Sequence, residues 1–149
     1  MLTARDIMST EIVTVSPETD VSQAAGLLLE KHINGIPVVD SARQVVGILC
    51  QSDLIAQQKK ISLPSLFTLL DGFISFSSTK NLDKEFKKIA AIKVSEAMTA
   101  DPVTVSPETT IEDIATLMVN RGFHTIPVVE DGKLVGVIGK EDVLKTIIS

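Results

Sequence analysis

The chain has 149 residues, enough for one ordinary domain or for two half-units that share a core. With 44% hydrophobic residues it can bury a core of normal size, while one cysteine (Cys50) and two histidines argue against a disulfide framework and against a metal site. The net charge of −5 disfavours nucleic acid, and no apolar run approaches the roughly 18 residues of a membrane span.

The charge is uneven. Residues 59–93 carry seven lysines against three acids, whereas the rest of the chain has 7 basic and 16 acidic residues. No basic-then-apolar leader is found at the start, so a soluble cytoplasmic protein is expected.

Thr3 to Met8 is predicted as a short helix, with Thr3 as N-cap and Asp6 three residues on as the capping acid. Ile12-Val13-Thr14-Val15 is predicted as a β-branched strand that Ser16-Pro17 closes. Thr19 or Asp20 then caps a helix whose apolar residues Val21, Ala24, Ala25, Leu28 and Leu29 fall on one face. Asn34-Gly35 is expected to end it, because both residues tolerate the left-handed conformation. Ile36 to Val39 and Val45 to Cys50 follow as strands around a turn, and Ser52-Asp53 opens another helix through about Gln58.

Residues 59–93 then interrupt the pattern. Two helices are predicted there, one opening at Ser62-Leu63-Pro64, the other carrying Leu82, Phe86, Ile89 and Ala90 on one face. Four of the five phenylalanines lie in this insert, so it is expected to pack, on its own chain or in a dimer contact.

From residue 94 the first pattern returns. Val13-Thr14-Val15-Ser16-Pro17-Glu18-Thr19 recurs unchanged as Val103 to Thr109. Met8 recurs as Met98, Ile36-Pro37-Val38-Val39 as Ile126-Pro127-Val128-Val129, Gly47 as Gly136 and Asp53 as Asp142, all in the same order. Asp131-Gly132 is predicted as a tight hairpin turn. The division is therefore a first repeat over 1–58, a basic helical insert over 59–93 and a second repeat over 94–149. Each unit gives a small three-stranded α/β sheet with helices, and two copies related by a pseudo-two-fold axis can cover each other's apolar face.

The repeated Met, Val-Thr-Val, Ile-Pro-Val-Val and Gly-h-h-x-x-x-Asp elements (h apolar) resemble the cystathionine β-synthase (CBS) domain. Two in tandem resemble the pair often called a Bateman module. The resemblance implies adenosine compounds (AMP, ADP, ATP or S-adenosylmethionine) bound in clefts between the repeats. It further implies that Asp53 and Asp142 hold ribose hydroxyls. A carboxylate suits a diol, although each aspartate is equally suited to cap its helix. The Thr or Ser that the family uses for phosphate is Cys50 in the first copy and Gly139 in the second, a weak donor and no side chain at all. Ser52 and Lys140 stand nearby as substitutes. With Lys140 at the helix opening and the Gly139 N–H expected to be open to a phosphate oxygen, the second site is expected to be the better one for phosphorylated ligands.

His124-Thr125-Ile126-Pro127 resembles the family's His-Arg-h-Pro, with Asn34-Gly35 in those places in the first copy. Backbone around Ile33, Asn34, Ile36 and Pro37, and around Phe123 to Pro127, is expected to contact the purine, with Thr14 and Thr104 alongside. Met8 and Met98 are read as core gap-fillers, and Cys50 as a small strand residue, since apolar neighbours raise a thiol's pKa. No catalytic constellation is present, and no cofactor is required. Two functions stand. One is a stand-alone regulatory module that senses adenosine nucleotides. The other is a dimerisation or partner-docking module with degenerate clefts. A homodimer is expected in both.

Overall fold

The computed structural model describes residues 1–60 and 92–148; the helices expected inside the insert, and the packing of its phenylalanines, lie outside them. The described chain forms α1 (Ala4–Ile7), α2 (Val21–Glu30), β1 (Gly35–Val39), β2 (Val45–Cys50), α3 (Gln51–Lys60), α4 (Val94–Ala97), β3 (Thr99–Ala100), α5 (Ile111–Arg121), β4 (Thr125–Glu130), β5 (Lys133–Gly139) and α6 (Lys140–Ile148). Two α/β lobes result, one per repeat.

Each lobe is built on an antiparallel hairpin. β1 pairs with β2, setting Gly35 opposite Cys50, and β4 pairs with β5, setting Thr125 opposite Gly139. The second hairpin turns at Asp131 (φ 52°) and Gly132 (φ 79°), the two positive φ angles that a tight turn of this twist requires. In the first turn Asp40 Oδ1 instead accepts from the N–H groups of Ala42 and Gln44, both at 2.9 Å.

The lobes exchange their leading segments. α1 docks on the second lobe, where the N–H groups of Ala4 and Arg5 donate to the carbonyls of Thr109 (2.8 Å) and Pro107 (2.9 Å). α4 docks on the first lobe in the same way, Val94 N–H to Thr19 (2.8 Å) and Ser95 N–H to Pro17 (3.0 Å). This explains the duplicated Ser-Pro-Glu-Thr. Thr19 Oγ1 accepts from Ser16 N–H, and Thr109 Oγ1 from Ser106 N–H, folding each copy into a turn that offers its carbonyls outward.

The cores follow the same exchange. Val15, Leu28, Ile36, Val38 and Leu49 are buried with Val94 and Ala97, whereas Ile114, Ile126, Val128 and Ile138 are buried with Ala4. Each fully buried Leu or Ile contributes about 1.5–3 kcal/mol, so these side chains carry the fold. The exposed pairs beside the docked helices, Lys93–Asp20 (2.5 Å) and Arg5–Glu108 (3.0 Å), each add about 1 kcal/mol or less.

Met8 and Met98 have a sharper role than gap-filling. A Cβ on Gly136 would run into Met8, and one on Gly47 into Met98. The glycine of each Gly-h-h-x-x-x-Asp element is thus the seat of a methionine from the exchanged segment.

Two local expectations fail. Residues 12–14 join no ladder: only Val15 bridges, in parallel to Val38, and Val105 does the same to Val128. Pro17 turns the chain away too soon for a longer pairing. Asn34 and Gly35 are not left-handed either; His32 is (φ 54°), and its counterpart in the second lobe is Gly122 (φ 69°). Gly35 is closely packed, since a Cβ there would lie 3.2 Å from the Thr125 side chain and 3.3 Å from Cys50 Sγ.

The third strand of the first sheet is β3, which pairs with β2 through Thr99 and Ala100. Its counterpart in the second sheet is reduced to a single bridge between Ser9 and Val137.

Candidate functional site

The helices that follow β2 and β5 begin with no spacer, so their first turns open at the sheet end where the two lobes meet. Asp53 stands at the third position of α3, and its Oδ2 accepts from Cys50 N–H at 2.8 Å. Asp142 does the same in α6, accepting from Gly139 N–H at 2.8 Å. Both aspartates therefore cap their helices, which satisfies a donor that would otherwise be orphaned. The Gly139 N–H is accordingly occupied and not open to a phosphate oxygen, which corrects the expectation for the second site.

Capping leaves the other carboxylate oxygen. Asp53 Oδ1 accepts from Thr99 Oγ1 at 3.1 Å. Among the described residues Asp142 Oδ1 has no hydrogen-bond partner. The two aspartates are equivalent in position and unequal in what they have left to offer.

Each aspartate lines a cleft walled by both repeats. The first cleft, about 440 Å³, is bounded by Ile48, Cys50, Gln51, Ser52, Asp53, Ile55 and Thr99 on one side and by Gly122, Phe123, His124 and Thr125 on the other, with Asn34 and Lys140 at the join. The second cleft, about 210 Å³, is bounded by Val137, Gly139, Lys140, Glu141 and Asp142, faced by Ser9, Glu11, Ile12 and Val13 and by His32, Ile33, Asn34, Gly35 and Pro37, with Thr125. The first falls within the usual range for small-molecule sites and the second below it.

Most of the expected site residues are brought together. Cys50, Ser52, Asp53, Phe123, His124 and Thr125 share the first cleft, and Ile33, Pro37, Gly139 and Asp142 share the second. Asn34, Thr125 and Lys140 touch both. Lys140 is therefore not a cation of the second cleft alone. Ile36, Ile126 and Pro127 are fully buried core residues and line neither. Thr14 lies in a separate groove with Thr19, Gln23 and Asp40, and Thr104 lines neither cleft.

The sequence reading passed over Ser9, Glu11, Thr99 and Glu141. Ser9 and Thr99 each follow the repeated methionine, so the repeat itself carried that signal. Glu141 occupies the place of Ser52, an acid where the first cleft has a hydroxyl.

Charge separates the clefts further. Among the described residues one carboxylate (Asp53) and one ammonium (Lys140) line the first, whereas Glu11, Glu141 and Asp142 line the second together with Lys140. At the first, Arg121 lies over the Phe123 ring, 5.7 Å from its centroid. Burial, and then the nearby Asp53 carboxylate, push the Cys50 thiol up from 9.0 to about 11. It is neither a nucleophile nor a strong donor at neutral pH. Among the described residues no group of three or more His, Cys, Asp or Glu is placed to hold a metal ion, and no helix is long and apolar enough to cross a membrane.

Paired α/β repeats, exchanged leading segments and an aspartate in each inter-repeat cleft define a two-repeat α/β module. The CBS domain family matches residues 4–60 and 94–149, and the chain belongs to that family. It is similar to the CBS domain-containing protein CBSX2, chloroplastic, of Arabidopsis thaliana, with 32% identity over 136 residues that cover 88% of this chain and 56% of the relative. The chain thus spans little more than half the length of that relative. It also resembles the CBS domain-containing protein YhcV of Bacillus subtilis, with 26% identity covering 95% of this chain and 83% of that protein. Among solved structures, CBSX2 in complex with AMP superposes with a TM-score of 0.75 at 29% identity, covering 99% of this chain and 97% of the other. The CBS domain of a CBS domain-containing membrane protein from Sphaerobacter thermophilus gives 0.72 at 32% identity, covering 97% and 87%.

Proposed function

We propose that this chain is a regulatory module, without catalysis of its own, that binds adenosine compounds in the two clefts between its repeats. The observation that carries the reading is the symmetric pair of aspartates, one per cleft, each at the opening of a helix. A carboxylate there can accept from both ribose hydroxyls, and the N–H groups further into the first turn favour a nearby anion. The AMP complex of CBSX2, a structure of the same fold, supports the ligand class. Occupancy draws the lobes together through residues from both, which is how binding would reach a regulated partner. A thermal-unfolding series with AMP, ADP, ATP and S-adenosylmethionine tests this. A ligand of the native state at about 100 times its Kd adds about 2.7 kcal/mol and raises the midpoint by several degrees. An unchanged midpoint with all four at millimolar concentration overturns the reading.

A second reading, assembly without a ligand, is favoured by the side chains at the phosphate position and by the exposed surface. Cys50 and Gly139 are poor phosphate donors. Leu29 on α2 and its counterpart Val119 on α5 are 73% and 81% exposed, and Ile55 on α3 and its counterpart Leu144 on α6 are 62% and 54% exposed. The same apolar helix pair is thus presented twice, and a homodimer closed by two-fold symmetry would cover it. Sedimentation showing a monomer at micromolar concentration overturns the dimer.

A further inference from the structure

The two clefts are equivalent in backbone and unequal in charge. In the second, the residue between Lys140 and Asp142 is an acid, Glu141, and Glu11 faces it from the opposite wall. In the first, the corresponding residue is Ser52, and among the described residues no acid besides Asp53 lines the wall. Glu11 and Glu141 line the same cleft as Asp142, and like charges closer than about one Debye length, roughly 8–10 Å, repel with little screening. Lys140 borders both clefts and so does not restore the balance in the second.

Resting on the proposed adenosine site, we infer that the clefts divide their ligands by charge. The first takes adenosine carrying a 5′-phosphate, met by Lys140, His124 and the Ser52 hydroxyl. The second takes adenosine whose 5′ substituent is uncharged or cationic, its ribose held by the spare oxygen of Asp142. Glu11 and Glu141 are specificity residues that repel phosphate.

Calorimetry with AMP, adenosine and S-adenosylmethionine tests the division. Asp53→Ala leaves the second cleft intact and should bind adenosine and S-adenosylmethionine more tightly than AMP; Asp142→Ala should reverse that order. Replacing Glu11 and Glu141 by Gln on the Asp53→Ala background should tighten AMP about two- to fivefold per charge removed and leave adenosine unchanged. Both glutamates are exposed and neither caps a helix, so the same pair of changes in an otherwise wild-type chain keeps the test open if Asp53→Ala unfolds. There the weaker of two AMP-binding steps should tighten. Binding at both clefts with one shared preference, or no response of AMP to the glutamate changes, overturns this inference and leaves the adenosine reading intact. Silence toward all three compounds overturns both.

Discussion

The two lobes share an interior and differ at the cleft wall. Ile36 and Ile126, and Val38 and Val128, are completely buried at matching positions, and each hairpin register shifts at the same place, after Val38 and after Val128. At the helix openings the match ends: Cys50-Gln51-Ser52-Asp53 faces Gly139-Lys140-Glu141-Asp142. Packing constrains a core position through every neighbour, so both copies keep the same residue. A cleft residue answers only to what the cleft must hold, and there the copies are free to differ.

The largest effects should test the shared interior. Ile36→Ala and Ile126→Ala should each cost about 2–5 kcal/mol in denaturant unfolding, with similar values for the two. A large inequality would break the equivalence of the lobes. The methionine seats sharpen it. A Cβ on Gly47 meets the backbone carbonyl of Thr99 at 3.1 Å as well as Met98, whereas one on Gly136 meets only Met8 among its nearest atoms. The Met8 contacts include its Cβ at 3.1 Å, which no rotamer change moves, so both seats are closed. Gly47→Ala and Gly136→Ala should therefore each cost about 1–3 kcal/mol.

At the cleft wall the order is set by hydrogen bonds. Asp53→Ala removes acceptors for Cys50 N–H and Thr99 Oγ1, while Asp142→Ala removes the acceptor for Gly139 N–H alone. The first should lose about 1–2 kcal/mol of stability and the second about half as much. Equal losses would mean that the Thr99 bond contributes nothing.

The smallest effect concerns Cys50, whose place in the second lobe is taken by Gly139. Its folded pKa, about 11, lies above the ordinary 9.0, so between those values the unfolded thiol ionises and the folded one stays protonated. The unfolded state then binds fewer protons, and stability falls as pH rises through that window. Cys50→Ser should remove that slope, and iodoacetamide labelling of the folded wild type at pH 8 should be slower than that of the unfolded chain.

The fold was legible because it was written twice. Repetition separated Met8, Gly47 and Asp53 from background, and periodicity was enough for α2 and for both hairpins. The exchange of leading segments was not legible, since no local pattern in Thr3 to Met8 says which lobe it docks on. Thr14 and Ile126 misled for a related reason: a repeated motif marks position, not whether a side chain reaches a cleft or the core. The state of Gly139 N–H turned on one rotamer, that of Asp142, which no spacing rule reports. Glu11 and Glu141 were visible as residues, but only the folded chain brings them to one cavity.

The most direct measurement of the central claim is a calorimetric titration of AMP into the wild type and into the Asp53→Ala, Asp142→Ala double variant, each first shown to unfold cooperatively. If the two aspartates anchor adenosine compounds, the wild type gives a saturating isotherm and the folded double variant gives none. Isotherms of equal affinity for both proteins would place the ligand elsewhere and contradict the account.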